Sequence, residues 1–169
     1  MNIMKPTLVA LFGMLLFSCN RHEVDASVQA HVDSLNMKIQ MLSDSLSQLE
    51  TNKRLVANFY QELFGNKDST AIDRYIGNTY IQHNPALPDG KEALKKGVSV
   101  WFKGQPKEMV DIQHLGADGN LVYIHTRAKM GPKIVSVIDI FRIENGKIVE
   151  HWDVLQDLPV KSANPHPMF

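Results

Sequence analysis

The run Val135-Ser136-Val137-Ile138-Asp139-Ile140-Phe141 carries one carboxylate in a stretch otherwise suited to the inside of a sheet. A carboxylate there loses its hydration, which is costly unless the group is paired or takes up a proton. Asp139 is therefore the first residue whose type and place could do chemistry, as a proton carrier in dry surroundings. A structural ion pair with Arg127 or Arg142 is the other way to satisfy it. Four histidines are the further titratable candidates: His83, His114, His125 and His151. None of them forms a close His-x-His or His-x-x-x-His pair, so no metal site is predicted. There is no Gly-x-Ser-x-Gly nucleophile motif.

Strands must hold these groups. Leu121 to Lys129 alternates so that Tyr123, His125 and Arg127 share one face. Lys133 to Ile143 and Lys147 to Gln156 flank Asn145-Gly146, the dipeptide of a type I′ hairpin turn. A two-residue turn pairs Ile143 with Ile148 and so sets Asp139 beside Trp152, with His151 and Asp153 on the other face. A three-residue loop with a bulge would set Asp139 beside His151 instead. The first arrangement is the one expected. Met109 to Leu115 supplies another strand, ended by Asp118-Gly119.

Before the strands the pattern is helical. Lys53 to Phe64 shows Leu55, Val56, Phe59, Tyr60, Leu63 and Phe64 on one broad face, with Thr51-Asn52 able to cap a fresh helix. Ser69 to Ile76 reads as a second, short helix. Tyr80 to Pro85 is extended, because Pro85 disfavours helix at Asn84. Asp89 can cap a third helix, Lys91 to Phe102. Helices followed by an antiparallel meander is the α+β order.

The N-terminus has a different composition. Lys5 is the only charge in residues 1–18, and Leu8 to Phe17 is apolar, too short to span a bilayer and suited to a secretory signal. It runs into Leu16-Phe17-Ser18-Cys19, which resembles a bacterial lipobox and makes Cys19, the only cysteine, the expected site of lipidation. Acyl chains would anchor the protein to a membrane of the bacterial cell envelope without spanning it. Residues 19–51 then form a helical spacer in which Val32 and Ile39 fall at a positions and Leu35, Leu42 and Leu49 at d, the pattern of a parallel two-stranded coil. A helix laid against its own domain fits the same spacing. The formal net charge of zero argues against nucleic-acid binding. The domain proper is residues 52–159, and 160–169 form an irregular tail.

The segments Tyr80-Ile81-Gln82-His83-Asn84-Pro85 and Glu150-His151-Trp152-Asp153, with the order of elements around them, resemble the SnoaL-like polyketide cyclases of the nuclear transport factor 2-like superfamily. The resemblance spans Lys53 to Pro159. It implies a cone-shaped fold, three N-terminal helices on a curved antiparallel four-stranded sheet, with an apolar pocket between them. It also implies cofactor-free acid/base chemistry, an aldol-type cyclisation or isomerisation of a small hydrophobic carbonyl compound, with Asp139 as acid/base. His125 and His83 would orient Asp139 or bind the carbonyl, and Tyr60, Asn84, Tyr123 and Trp152 would line the pocket. A homodimer is expected from the same resemblance. The alternative is a lipoprotein that binds a small ligand or an envelope protein without turning it over.

Overall fold

The computed structural model describes residues 19–169, with side chains from Asp25 onward, so the expected signal peptide at 1–18 lies outside the described residues. Helix α1 runs without a break from Cys19 to Tyr60. The cap expected at Thr51-Asn52 does not form. Thr51 Oγ1 instead donates to the Ser47 carbonyl, one turn back. Asn52 is buried and donates to the Gly119 carbonyl, tying the helix to a strand turn 67 residues away. A π-helical turn, Gln61–Gly65, follows α1. Gly65 is required there, since a Cβ would come within 2.8 Å of the Glu108 carbonyl oxygen. No described helix is long and apolar enough to cross a membrane. Contacts divide the chain into two units, 1–44 and 45–169. In the first, the heptad residues Val28, Val32, Leu35, Ile39 and Leu42 are exposed.

In the second unit, α2 is Ala71–Tyr75 and α3 is Lys91–Trp101. Gly90, at φ 91°, stands at the start of α3, while Asp89 accepts from the Gln82 backbone N–H instead of capping the helix. The strands are β1 (Ile76–Gln82), β2 (Asp111–Asp118), β3 (Leu121–Met130), β4 (Lys133–Glu144) and β5 (Lys147–Asp157), in sheet order β1-β5-β4-β3-β2. The fold is α+β, as expected, but the sheet has five strands and is mixed. Ile76 leaves the helical stretch and opens β1, which pairs parallel to β5. Gly77-Asn78-Thr79 hides this strand by breaking the apolar alternation, and its pairing is itself irregular between Ile76 and Ile81.

The hairpin turn forms as the dipeptide requires, with Asn145 at φ 50° and Gly146 at φ 70°, pairing Ile143 with Ile148. The next pair is Arg142 with Glu150, so Val149 is an extra residue, a β-bulge. Every later partner moves by one. Phe141 faces His151, Ile140 faces Trp152, and Asp139 faces Asp153. The core lies between the inner face of this sheet and the helices, where Val56, Phe59, Leu63, Ile72, Ile124, Phe141 and Ile148 are all but sealed from solvent. Phe59 meets Phe141 edge-on at 5.8 Å.

Candidate active site

The bulge settles which side chains share the inner face with Asp139. Asp139 is 5% exposed. Tyr60, from the last turn of α1, donates its hydroxyl to Asp139 Oδ2 at 2.5 Å. His151 Nε2 lies 2.7 Å from Asp139 Oδ1. Among the described residues neither arginine reaches Asp139, because Arg142 is spent on Glu144 and Glu150 and Arg127 on Asp111. The buried ion-pair reading thus takes a different form, with histidine as the partner.

The proton between Asp139 and His151 can be placed from the groups behind them. The backbone N–H of Asn84 donates to Gln82 Oε1 at 2.9 Å, which fixes the amide orientation. The same oxygen sits 2.8 Å from His151 Nδ1, so Nδ1 must carry a hydrogen. Gln82 Nε2 donates onward to the Tyr80 hydroxyl. Nε2 therefore meets Asp139 with one proton shared between them, as a carboxyl donating to imidazole or as an imidazolium donating to carboxylate. Burial and the Asp139 carboxylate hold the Tyr60 phenol well above its ordinary range, against a smaller opposing pull from the nearby Thr126 hydroxyl. Burial, then Asp139, raises Tyr80 in the same sense. Both phenols stay hydrogen-bond donors. Asp153 faces the same side and accepts from Asn84 Nδ2 at 2.5 Å.

Asp139, His151 and Asp153 together offer ligand atoms within 4.8 Å of one another, enough in principle for a metal ion. The fit is poor, since Asp139 Oδ1 and His151 Nε2 are already bonded to each other and the Tyr60 hydroxyl covers Oδ2. The arrangement suits proton transfer by the side chains themselves.

The other expected site residues lie elsewhere. Trp152 faces away from Asp139, paired with Ile140 and stacked on His83 with ring centroids 4.6 Å apart. His83 also bonds Glu150 Oε1 at 2.8 Å, which together with Arg142 holds that carboxyl below its usual range. In β3 it is Ile124, not His125 or Tyr123, that lies opposite Asp139. His125 is on the outer face, with Nδ1 3.0 Å from His114 Nδ1 and Nε2 2.8 Å from Ser136 Oγ. Burial and His114 lower its basicity. Tyr123, His125, His114 and Ile138 line a concavity of about 600 Å³ there, on the opposite face of the sheet from the Asp139 and His151 side chains. Of the residues expected to line the pocket, Tyr60 bonds Asp139 and Asn84 bonds Asp153. Gln82, Tyr80 and Asp153 were not anticipated, and His151, placed beside Asp139 only by the alternative loop, was expected on the other face. The signal for two of them was present, because Tyr80, Gln82 and Asn84 alternate through the Tyr-Ile-Gln-His-Asn-Pro segment, and that period separates them from His83.

The fold has many solved counterparts. A candidate polyketide cyclase from Acidithiobacillus ferrooxidans superposes with a TM-score of 0.54 at 20% identity, covering 62% of this chain and 87% of that one. An LEH-like epoxide hydrolase from M. tuberculosis gives 0.51 at 21% identity over 64% and 85%. A candidate ketosteroid isomerase from Kribbella flavida gives 0.53 at 13% identity over 70% and 84%. At these identities the likeness is one of fold. No curated protein matches the sequence. The family profile of the SnoaL-like polyketide cyclases matches residues 54–163, and the chain belongs to that family.

Proposed function

We propose that the domain catalyses cofactor-free proton transfer at carbon next to a carbonyl in a small hydrophobic compound, with the Asp139–His151 pair as acid/base. The observation that carries this reading is the buried hydrogen-bond chain that runs from the Asn84 N–H through Gln82 Oε1 and His151 to Asp139. Asp139 would take the α-proton and return it at another position or to a new oxygen, the common half of an isomerisation and an aldol closure. Tyr60 steadies the carboxylate throughout. His125 and His83 have no part in this scheme.

The test needs no knowledge of the natural substrate. Cyclic ketones and β-dicarbonyls incubated in D2O are followed by NMR for loss of α-protons. Wild type should accelerate exchange for a subset, and Asp139→Asn should lose that acceleration by a factor of about 10²–10⁴. Equal rates for the two proteins would end the catalytic reading and leave a ligand-binding domain.

The same proposal includes a lipid anchor at Cys19 in a bacterial envelope and pairing of two copies through the exposed heptads of α1. Its support is the lipobox-like sequence and the a/d spacing. Cys19→Ala should leave the protein unprocessed or soluble, and a variant that fractionates like wild type would remove the anchor.

A further inference from the structure

His114 and His125 make no close pair in the sequence, yet the sheet brings their rings together. Strand β2 pairs with β3 as Asp111 with Arg127 and Ile112 with Thr126, but the next pair is His114 with His125. Gln113 is therefore an extra residue, a β-bulge like that at Val149. Without it His114 would lie opposite Ile124, on the inner face. With it Leu115 takes that place against the core, and His114 turns outward beside His125. The two Nδ1 atoms stand 3.0 Å apart, with the rings inclined by only 9°. Both rings line the outer concavity of about 600 Å³, His114 exposed and His125 half-buried.

Two imidazole nitrogens so close are nearly spaced for one metal ion. Nitrogens that bind a tetrahedral zinc at about 2.0–2.1 Å each are about 3.3 Å apart. A small turn of the exposed His114 ring therefore lets a cation replace the bond between the rings. Ser136 Oγ lies 2.8 Å from His125 Nε2. It can accept the Nε2 hydrogen and leave Nδ1 bare, as the partner behind a metal-bound imidazole does. Burial, then His114, lowers the basicity of His125, so protons compete weakly for it near neutrality. Arg127, the cation next along this face, is engaged with Asp111 and the Phe169 ring. Among the described residues no third His, Cys, Asp or Glu joins the pair, so the other coordination positions open onto the concavity, to water or a ligand donor. We propose that His114 and His125 form an exchangeable two-histidine site for a late first-row divalent cation such as zinc. Imidazole suits such ions, whereas magnesium and calcium take oxygen donors. The site is separate from the acid/base pair, which lies on the other face, and does not depend on it.

The probe is zinc chloride, added to the protein without a metal-affinity tag and followed through the imidazole nitrogen resonances by NMR. Zinc should shift the His114 and His125 signals before those of any other histidine, and magnesium should shift neither. By calorimetry, His114→Ala and His125→Ala should each lose this binding, and Ser136→Ala should weaken it by about tenfold. His31→Ala, which alters an exposed histidine of α1, should leave it unchanged. Zinc that binds as tightly to His114→Ala and His125→Ala as to wild type sits elsewhere, for instance at Asp139, His151 and Asp153, and overturns the proposal. A wild-type protein whose His114 and His125 signals stay fixed at millimolar zinc overturns it too.

Discussion

The two faces of the sheet carry much the same residue types and use them in opposite ways. On the inner face Asp139, His151, Gln82, Tyr60 and Tyr80 form one chain of hydrogen bonds away from water. On the outer face His83, Trp152, Glu150, His114 and His125 form stacks and pairs that solvent reaches. In the first setting each bond fixes the proton of the next, because no water can substitute for a missing partner. In the second a lost partner is replaced by solvent. What separates the faces is position relative to Val149, the bulge that turns His151 inward and Trp152 outward. Side-chain chemistry alone does not identify the site; the side of the sheet does.

The largest test of this contrast removes the inner carboxylate. Asp139→Ala leaves the Tyr60 hydroxyl and His151 Nε2 buried without a partner, and should cost about 3–5 kcal/mol in urea unfolding at neutral pH. Asp139→Asn should cost under about 1.5 kcal/mol, since its amide can accept from Tyr60 and donate to the bare Nε2 of the Nδ1–H tautomer. That difference is the signature of the locked tautomer. A loss as great for asparagine as for alanine would show that the pair is an ion pair and chiefly structural.

Much of the fold could be read from sequence for local reasons. Asn145-Gly146 dictated the hairpin through its positive φ values, and the α3 helix and the last four strands fall within a few residues of their periodic patterns. Strand β1 was obscured because its edge pairing to β5 is long-range, while Gly77-Asn78-Thr79 lacks alternation. Within the site, Asp139 stood out because burial of a carboxylate needs a cause. Its partner did not, since one unpaired residue at Val149 reverses which of His151 and Trp152 faces inward. Nothing in Ile148-Val149, two apolar residues in a row, marks the bulge except that both are buried. Adjacent burial breaks the period of two, and the period is what sequence reading of a strand relies on.

A smaller effect is expected on the outer face. His125→Ala removes a ring stacked on His114 and bonded to Ser136, in a region water can enter. It should change stability by less than about 1 kcal/mol and leave the α-proton exchange rate of the wild type intact. Loss of exchange in this variant, with the fold unaltered by circular dichroism, would bring the outer concavity into the chemistry and undo the separation of the faces.

A third polar cluster, at the surface after α1, gives the smallest effect and calibrates the other two. Arg74 bonds Glu62 and Asp68, and Asp68 also accepts from the Thr70 hydroxyl and backbone N–H. The Thr70 hydroxyl first, and Arg74 next, hold the Asp68 carboxyl down to about 2. A carboxyl depressed in the folded state adds stability above its unfolded value, near 3.9, and that contribution fades as the pH falls toward 2. The Asp68 and Arg74 side chains are 38% and 47% exposed, so solvent screens the gain to less than about 1 kcal/mol. Asp68→Asn should therefore be slightly less stable than wild type at about pH 6, with the gap shrinking as the pH falls from about 4 toward 2, by urea unfolding at each pH. A gap that stays constant across this range would assign the effect to the turn geometry at Thr70, not to charge. Against the cost expected at Asp139, it measures how much the same kinds of bond gain when water is kept out.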